Sequence, residues 1–379
     1  MDKLFVYTPG PTNVRENVRL ARSMETTNPD LDGEFFDYYK DTCNKVASIL
    51  GTKNDTFILG GEGILGLEAA CASLTEKNDK VLVIDNGVFG EGFKDFIKIY
   101  GGEPILYSSN RKNEIDIEDL KIFLEKNHDF KYATIVHCDT PSGVLNDIKN
   151  ICPLLKKYGI VTVVDSVAAM VGEPLEIDNW GIDVILGGSQ KAFSAPPGLT
   201  IVAISADAYK IMSNRKTQIT SFYGNLTIWK DYYTQKTFPY TMPISDIIGF
   251  RTAVDNILEE GLENIQLRHK KIAEAVRKSL VSYGFKLYLE SGYASTVTVV
   301  EPPEGYEVSK IINHMREKYN LLIAGSFDYL SNKVIRIGHM GENANFNFVI
   351  YVLNVLDLAM RDLGYENKVS LVDEFNKNI

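Results

Sequence analysis

The sequence predicts an α/β protein in which a mostly parallel seven-stranded sheet is flanked by helices and followed by a smaller α+β unit. Two observations carry this. From about residue 55, short apolar, β-branched runs alternate with longer amphipathic stretches, the rhythm of parallel strands joined by crossover helices and covered on both faces. After roughly residue 255 the texture changes to a charged helical pattern interspersed with short strands.

The predicted strands are Thr56–Leu59, Lys80–Ile84, Pro104–Tyr107, Tyr132–His137, Ile160–Val164, Asp183–Leu186 and Leu199–Ile204. Between them, helical periodicity is read at Ile64–Leu74, Gly90–Ile99, Ile117–Glu125 and Ile148–Lys157. A long helix is expected over Ile257–Tyr283, then strands around Thr296–Val300 and Val334–Ile337. With 379 residues the chain is long for one compact core. We expect an N-terminal segment (1–14), a large domain (15–255) and a small C-terminal domain (256–379). The connection Ile211–Pro243, rich in Phe, Tyr and Trp, is too long to be idle. It is expected to form a subunit interface or a wall of the active site, with an ordinary packed surface as the alternative.

Forty Lys plus Arg against fifty Asp plus Glu give a net charge of −10, the wrong sign for gripping nucleic acid or an anionic membrane. The N-terminal MDKLFVYTPGPT has no apolar leader core, and no run approaches the length of a membrane span. A cytoplasmic location is the expectation. Cys43, Cys71, Cys138 and Cys152 are scattered without a CxxC pair, which suits reduced core thiols. His128, His269 and His314 stand singly, so no metal site is implied.

Open sheets of this kind bind ligands beyond the carboxyl ends of their strands. There, TFILGGEGILGLEAA sets Gly61, Gly63 and Gly66 at GxGxxG spacing after a strand and at the head of a helix, and the next strand ends in Asp85. That is the context of a dinucleotide site, and NAD binding stays open on this segment alone. Backbone amides at a helix N-terminus hold any phosphate, so the segment argues for a phosphate without saying whose.

Asp165 ends the strand in VVDSVAA, and Lys191 follows in the polar loop GGSQKAFSAPPG after the next strand. Pyridoxal phosphate (PLP) chemistry needs such a pair. A lysine amine condenses with the cofactor aldehyde and later moves the proton at the substrate α-carbon. A carboxylate keeps the pyridine nitrogen protonated, which makes the ring an electron sink. Singly, Lys191 reads as a surface lysine and Asp165 as a helix cap.

Their joint context reverses this. TPGPTNV, NGVFG, TIVHCDTPSGVL, VVDSVAA, GGSQKAFSAPPG, FPYTMP and KVIRIGHMG occur in one order along nearly the whole chain. In that order they resemble class V, fold type I PLP-dependent aminotransferases of the alanine-glyoxylate and serine-pyruvate group. The resemblance implies a homodimer with shared sites. It assigns Lys191 as the Schiff-base lysine and Asp165 as the pyridinium partner. It places Thr140 near the ring 3-oxygen, Phe89 on the ring face, and Gln190, Gly63 and Ile64 at the phosphate. Thr241 would reach the phosphate from the neighbouring subunit, and Arg336 would take the substrate carboxylate.

Arg336 also has a physical warrant, because a guanidinium inside an apolar strand needs a carboxylate partner, either substrate or protein. The loop Thr8–Asn13, with Gly10 in it, and the aromatic segment around Phe222 and Tyr223 are expected to wall the substrate pocket. Three positions depart from the family pattern. Phe89 replaces a common tryptophan and still stacks. Phe238 replaces a tyrosine. Glu62 stands where a small residue adjoins the phosphate, so its side chain is expected to turn away or meet a cation. His137 and His339 lie near the inferred site and are expected to be packed histidines, since Lys191 already fills the proton-transfer role.

The implied activity is transfer of an amino group from a small α-amino acid, alanine or serine first, to a 2-oxo acid such as glyoxylate or pyruvate, with ping-pong kinetics. A lyase of the cysteine desulfurase kind shares the fold, but it needs a reactive cysteine in the C-terminal part and all four cysteines precede residue 153. An NAD-dependent dehydrogenase would leave Asp165, Lys191 and Arg336 unexplained. A non-catalytic PLP-binding regulator would need a DNA-binding module, for which neither terminus has room.

Overall fold

The computed structural model describes residues 4–379. Seven strands form the large sheet: β1 (Asp55–Gly60), β2 (Lys80–Asp85), β3 (Glu103–Ser108), β4 (Tyr132–Val136), β5 (Val161–Asp165), β6 (Val184–Gly188) and β7 (Leu199–Ile204). Every predicted run is therefore a strand. Their spatial order is β1-β7-β6-β5-β4-β2-β3. All neighbours are parallel except β7, which runs antiparallel to both β1 and β6. Strands β4 to β7 are buried along their whole length, as a sheet covered on both faces requires. The four crossover helices form at Gly63–Leu74, Val88–Ile99, Ile117–Lys126 and Ile148–Lys157.

Because β7 returns between β1 and β6, the turn after β1 is stitched to the loop leading into β7. Gly61 N–H donates to Gly198 O at 2.7 Å, and Thr200 Oγ1 donates to the carbonyls of Glu62 (2.6 Å) and Gly61 (3.0 Å). Gly61 itself has φ +141, and a Cβ there would stand 2.4 Å from Leu65 Cδ2. Only glycine lets the chain make this turn.

The C-terminal part differs from expectation in one respect. The predicted helix Ile257–Tyr283 is the meeting of two helices, Ile244–Glu260 and Leu262–Tyr283, broken at Gly261. Gly261 takes φ +85, a conformation that a helix cannot continue through. A four-stranded antiparallel sheet follows, built from β8 (Lys286–Leu287), β9 (Thr298–Glu301), β10 (Ala324–Gly325) and β11 (Ile335–Ile337) in the order β8-β9-β11-β10. A second hydrophobic cluster packs beneath it, against the helices Leu262–Tyr283, Val308–Tyr319 and Phe346–Asp362.

The aromatic connection divides between core and surface. Trp229, Tyr232 and Phe238 are buried, and the Phe238 ring stacks on Phe36 with centroids 4.4 Å apart. Phe222 and Tyr223 are exposed. Among the described residues, no helix is long and apolar enough to cross a membrane, and no group of three or more potential metal ligands exists.

Candidate active site

The carboxyl ends of β1, β2, β4, β5 and β6 converge on a cavity of about 130 Å³. Seven of the eight residues expected to touch a cofactor line it: Gly63, Ile64, Phe89, Thr140, Asp165, Gln190 and Lys191. The eighth, Thr241, lies elsewhere, and its hydroxyl donates to Asp30 at 2.8 Å. It could serve this cavity only in a second copy of the chain.

Asp165 ends β5, whose next neighbour is β6, so the loop carrying Lys191 emerges beside it. Asp165 accepts a hydrogen bond from Val167 N–H at 2.9 Å. Burial pushes its carboxyl up to about 7; that hydrogen bond and the charge of Lys191 pull it down, while Asp139 and Glu62 push the same way as burial. Lys191 Nζ donates to Pro9 O at 2.8 Å. Burial lowers its ammonium to about 8, and repulsion from Arg336 adds to the effect. An amine poised near neutrality is what nucleophilic and proton-transfer work requires.

Gly10 packs directly on that lysine. A Cβ at Gly10 would stand 2.5 to 2.7 Å from Lys191 Cδ, Cε and Nζ, and its φ of +107 also excludes ordinary side chains. The loop Thr8–Asn13 thus touches the amine of Lys191 through Pro9 and Gly10.

Arg336 projects from β11, and its partners are carbonyls: Nε donates to Gly325 O and Nη1 to Thr140 O at 3.4 Å. Its guanidinium lies 5.6 Å from the centroid of the Phe327 ring. Among the described residues, no carboxylate comes within ion-pair distance of it, so the internal salt bridge considered from sequence is absent. Burial lowers it to about 10, with Asp139 acting the other way. This is a desolvated cation whose Nη2 makes no hydrogen bond among the described residues, leaving an edge donor for a carboxylate.

Sequence reasoning missed Asp139. It is fully buried, accepts from Phe89 N–H (3.0 Å) and Ser142 Oγ (2.7 Å), and is pushed up by burial against those hydrogen bonds. Gly87 leaves it room, since a Cβ there would come within 2.4 Å of Asp139 Cγ. By fixing the Phe89 backbone, Asp139 sets where the phenyl ring hangs over the cavity. An acid directly before Thr140, in CDTPSG, was the available signal. Phe327, edge-on to Phe89 at 6.0 Å, was also missed.

Glu62 neither turns away nor meets a cation. Its Oε1 accepts from Ile64 N–H at 3.2 Å, capping the helix Gly63–Leu74, and its Oε2 accepts from Gln190 Nε2 at 3.3 Å. The carboxylate is a wall of the cavity.

His137 and His339 are buried, hydrogen-bonded to Ser166 and to Thr298 and Ser295, and both are lowered to about 3 by burial. They are packed histidines, as expected. All four cysteines are free and buried, with their thiols pushed up by burial, which is the reverse of what a reactive cysteine needs.

Comparison with known proteins agrees with this geometry. The sequence matches the aminotransferase class-V family over residues 16–325. It is 35% identical to an uncharacterized aminotransferase of Methanocaldococcus jannaschii, over 98% of this chain and 96% of that one. It is 30% identical to the pyridoxamine–pyruvate transaminase of Mesorhizobium japonicum, over 96% of this chain and 93% of the other. The structure superimposes on ureidoglycine–glyoxylate aminotransferase from Bacillus subtilis with a TM-score of 0.95 at 26% identity, covering 100% of this chain and 98% of that one. With a cavity built from the ends of a mostly parallel sheet, and with this match over most of its length, the chain belongs to the class-V aminotransferase family of fold type I.

Proposed function

We propose that this transaminase moves an amino group between a small α-amino acid, alanine or serine first, and a 2-oxo acid such as glyoxylate or pyruvate, at the cavity of Lys191 and Asp165. The observation that carries the proposal is the joint burial of an amine lowered to about 8 and a carboxylate at neighbouring strand ends, with Arg336 lacking any carboxylate partner nearby. The names of the relatives, which specify glyoxylate or pyruvate as acceptors, support the acceptor class.

The family implies pyridoxal 5'-phosphate, and the ring half of that molecule suits the residues present. Asp165 would face the pyridine nitrogen, Phe89 would cover one ring face, Thr140 would adjoin the ring oxygen, and Lys191 would hold the aldehyde carbon. When bound, the ring supplies an electron sink for the pair left on the substrate α-carbon. The chain supplies the rest. Arg336 takes the substrate carboxylate through two parallel N–H donors and so orients the α-carbon. Lys191, neutral above about pH 8, accepts the α-proton and returns it on the far side of the exchange. Asp165 and the Lys191 amine are buried, which limits the access of bulk water to that proton.

The same proposal takes the chain as a cytoplasmic homodimer in which Thr241 of each subunit serves the other's cavity. It assigns 15–255 to the cofactor-bearing domain and 256–379 to the domain that contributes Arg336.

Visible absorption tests it. Protein mixed with the cofactor should show a visible band that Lys191→Ala abolishes and that single amino acids bleach one by one. A colourless protein that binds NADH instead would sink the proposal.

A further inference from the structure

The end of the cavity where a phosphate would sit is already occupied by an anion of the chain itself. From sequence, the donors there are the backbone amides at Gly63 and Ile64 and the side chain of Gln190. In the structure, Ile64 N–H and Gln190 Nε2 both point to the two oxygens of Glu62, at 3.2 and 3.3 Å. No lysine or arginine of the described residues forms an ion pair with Glu62. The amide of Gln190 gains nothing by turning over, because that would set its oxygen against the carboxylate. Its Oε1 is buried without a partner, in a residue only 7% exposed.

A phosphate dianion placed here would meet a carboxylate at close range and find two of its donors taken. A hydroxyl would not. It carries a proton for Glu62 to accept, has no charge to repel, and needs less room. The charge of Glu62 also reaches the rest of the site, since it favours the ammonium of Lys191 and the protonated form of Asp165.

We infer that Glu62 makes this cavity selective for a pyridoxal-type ring bearing a neutral hydroxymethyl group in place of the phosphate ester, that is, for pyridoxal and pyridoxamine over their phosphates. The inference rests on the transaminase reading above. Without the phosphate anchor, the amine form of the ring is held only by the contacts of its own small body, so it exchanges with solvent as a reactant. The balance is then complete without an oxidant: the amine of pyridoxamine and the keto oxygen of a 2-oxo acid trade carbons. One hydrogen of the pyridoxamine methylene is replaced on the α-carbon, giving pyridoxal and an amino acid.

The test is binding. Purified protein freed of bound vitamer is titrated in parallel with pyridoxal and with pyridoxal 5'-phosphate, following the visible band, and the retained ligand is identified by mass spectrometry. Wild type should bind pyridoxal at least about tenfold more tightly than the phosphate. Glu62→Gln keeps the size and removes the charge, while Glu62→Ser keeps a helix-capping oxygen and opens space. Both should shift the preference toward the phosphate by about tenfold or more, with a melting curve confirming that each variant is folded. Tighter binding of the phosphate by wild type, or a ratio unmoved by both substitutions, overturns the inference and leaves the transaminase reading standing. If neither compound gives a band that depends on Lys191, the transaminase reading falls and takes this inference with it.

Discussion

Arg336 and Thr140 meet across the two sheets, the guanidinium donating to the Thr140 carbonyl at 3.4 Å, so the residue expected to bind substrate is braced against the residue expected beside the cofactor ring. With Nε given to Gly325 O and one Nη1 hydrogen to Thr140 O, Nη2 and the second Nη1 hydrogen are left for a carboxylate. Arg336→Lys keeps a positive charge and loses the fork. It should cost about 2 kcal/mol, or roughly thirtyfold in kcat/KM for every amino acid substrate, mostly through KM. Equal losses in kcat with KM unchanged would count against carboxylate binding.

Lys191 should show its depressed ionisation in the rate of coupling to an aldehyde. The neutral amine is the nucleophile, so the rate should rise with pH through a midpoint near 8. Arg336→Gln removes a repulsion that favours the neutral amine, so the midpoint should move to higher pH. Stopped-flow absorbance at several pH values measures both.

Asp165 makes a less obvious prediction. Its folded value, about 7, lies above its ordinary one. Between those values the folded protein keeps a proton that the unfolded chain releases. Stability of the ligand-free protein should therefore fall as pH rises from about 4 to 7 on account of this group. Asp165→Asn removes the cost, so the ligand-free variant should be more stable than wild type at pH 8, by on the order of 2 kcal/mol in denaturant titrations. It should at the same time lose transamination, because an amide does not keep a pyridine nitrogen protonated.

Gly10→Ala places a methyl group where Lys191 Cδ, Cε and Nζ now lie. The lysine must move, and the alanine must adopt a positive φ, at a cost of about 1 to 2 kcal/mol. The expected result is a folded protein whose visible band forms more than about tenfold more slowly. A variant that couples as fast as wild type would show the Pro9 and Gly10 contact to be incidental.

Much of this was legible in the sequence because the relevant signals are local. Seven β-branched runs are seven strands, and residues such as Asp165 and Gln190 sit at strand ends that the topology brings together. The helix break at Gly261 was not legible, since a single glycine in a charged helical pattern is tolerated as often as it breaks a helix, and only packing of the helices before and after it decides. Gly261→Ala should destabilise by about 1 kcal/mol or more, because the break requires φ +85. Asp139 was missed because its role is to hold the Phe89 backbone across 50 positions of sequence. Glu62 was recognised as anomalous, but its actual partners, a helix amide and a glutamine, depend on where the end of β6 brings Gln190.

The return of β7 between β1 and β6 has a wider consequence. The turn bearing Glu62 and the loop bearing Lys191 are tied by Gly61 to Gly198 and by Thr200 to Glu62, on either side of one antiparallel ladder. Neither can drift relative to the other without breaking main-chain hydrogen bonds, so the distance between the attachment point and the far end of the ligand is a fixed ruler. In descendants of this scaffold, a change in which vitamer fits must come from swapping the group at the end of that ruler, which a single codon can do, while its length is inherited unchanged.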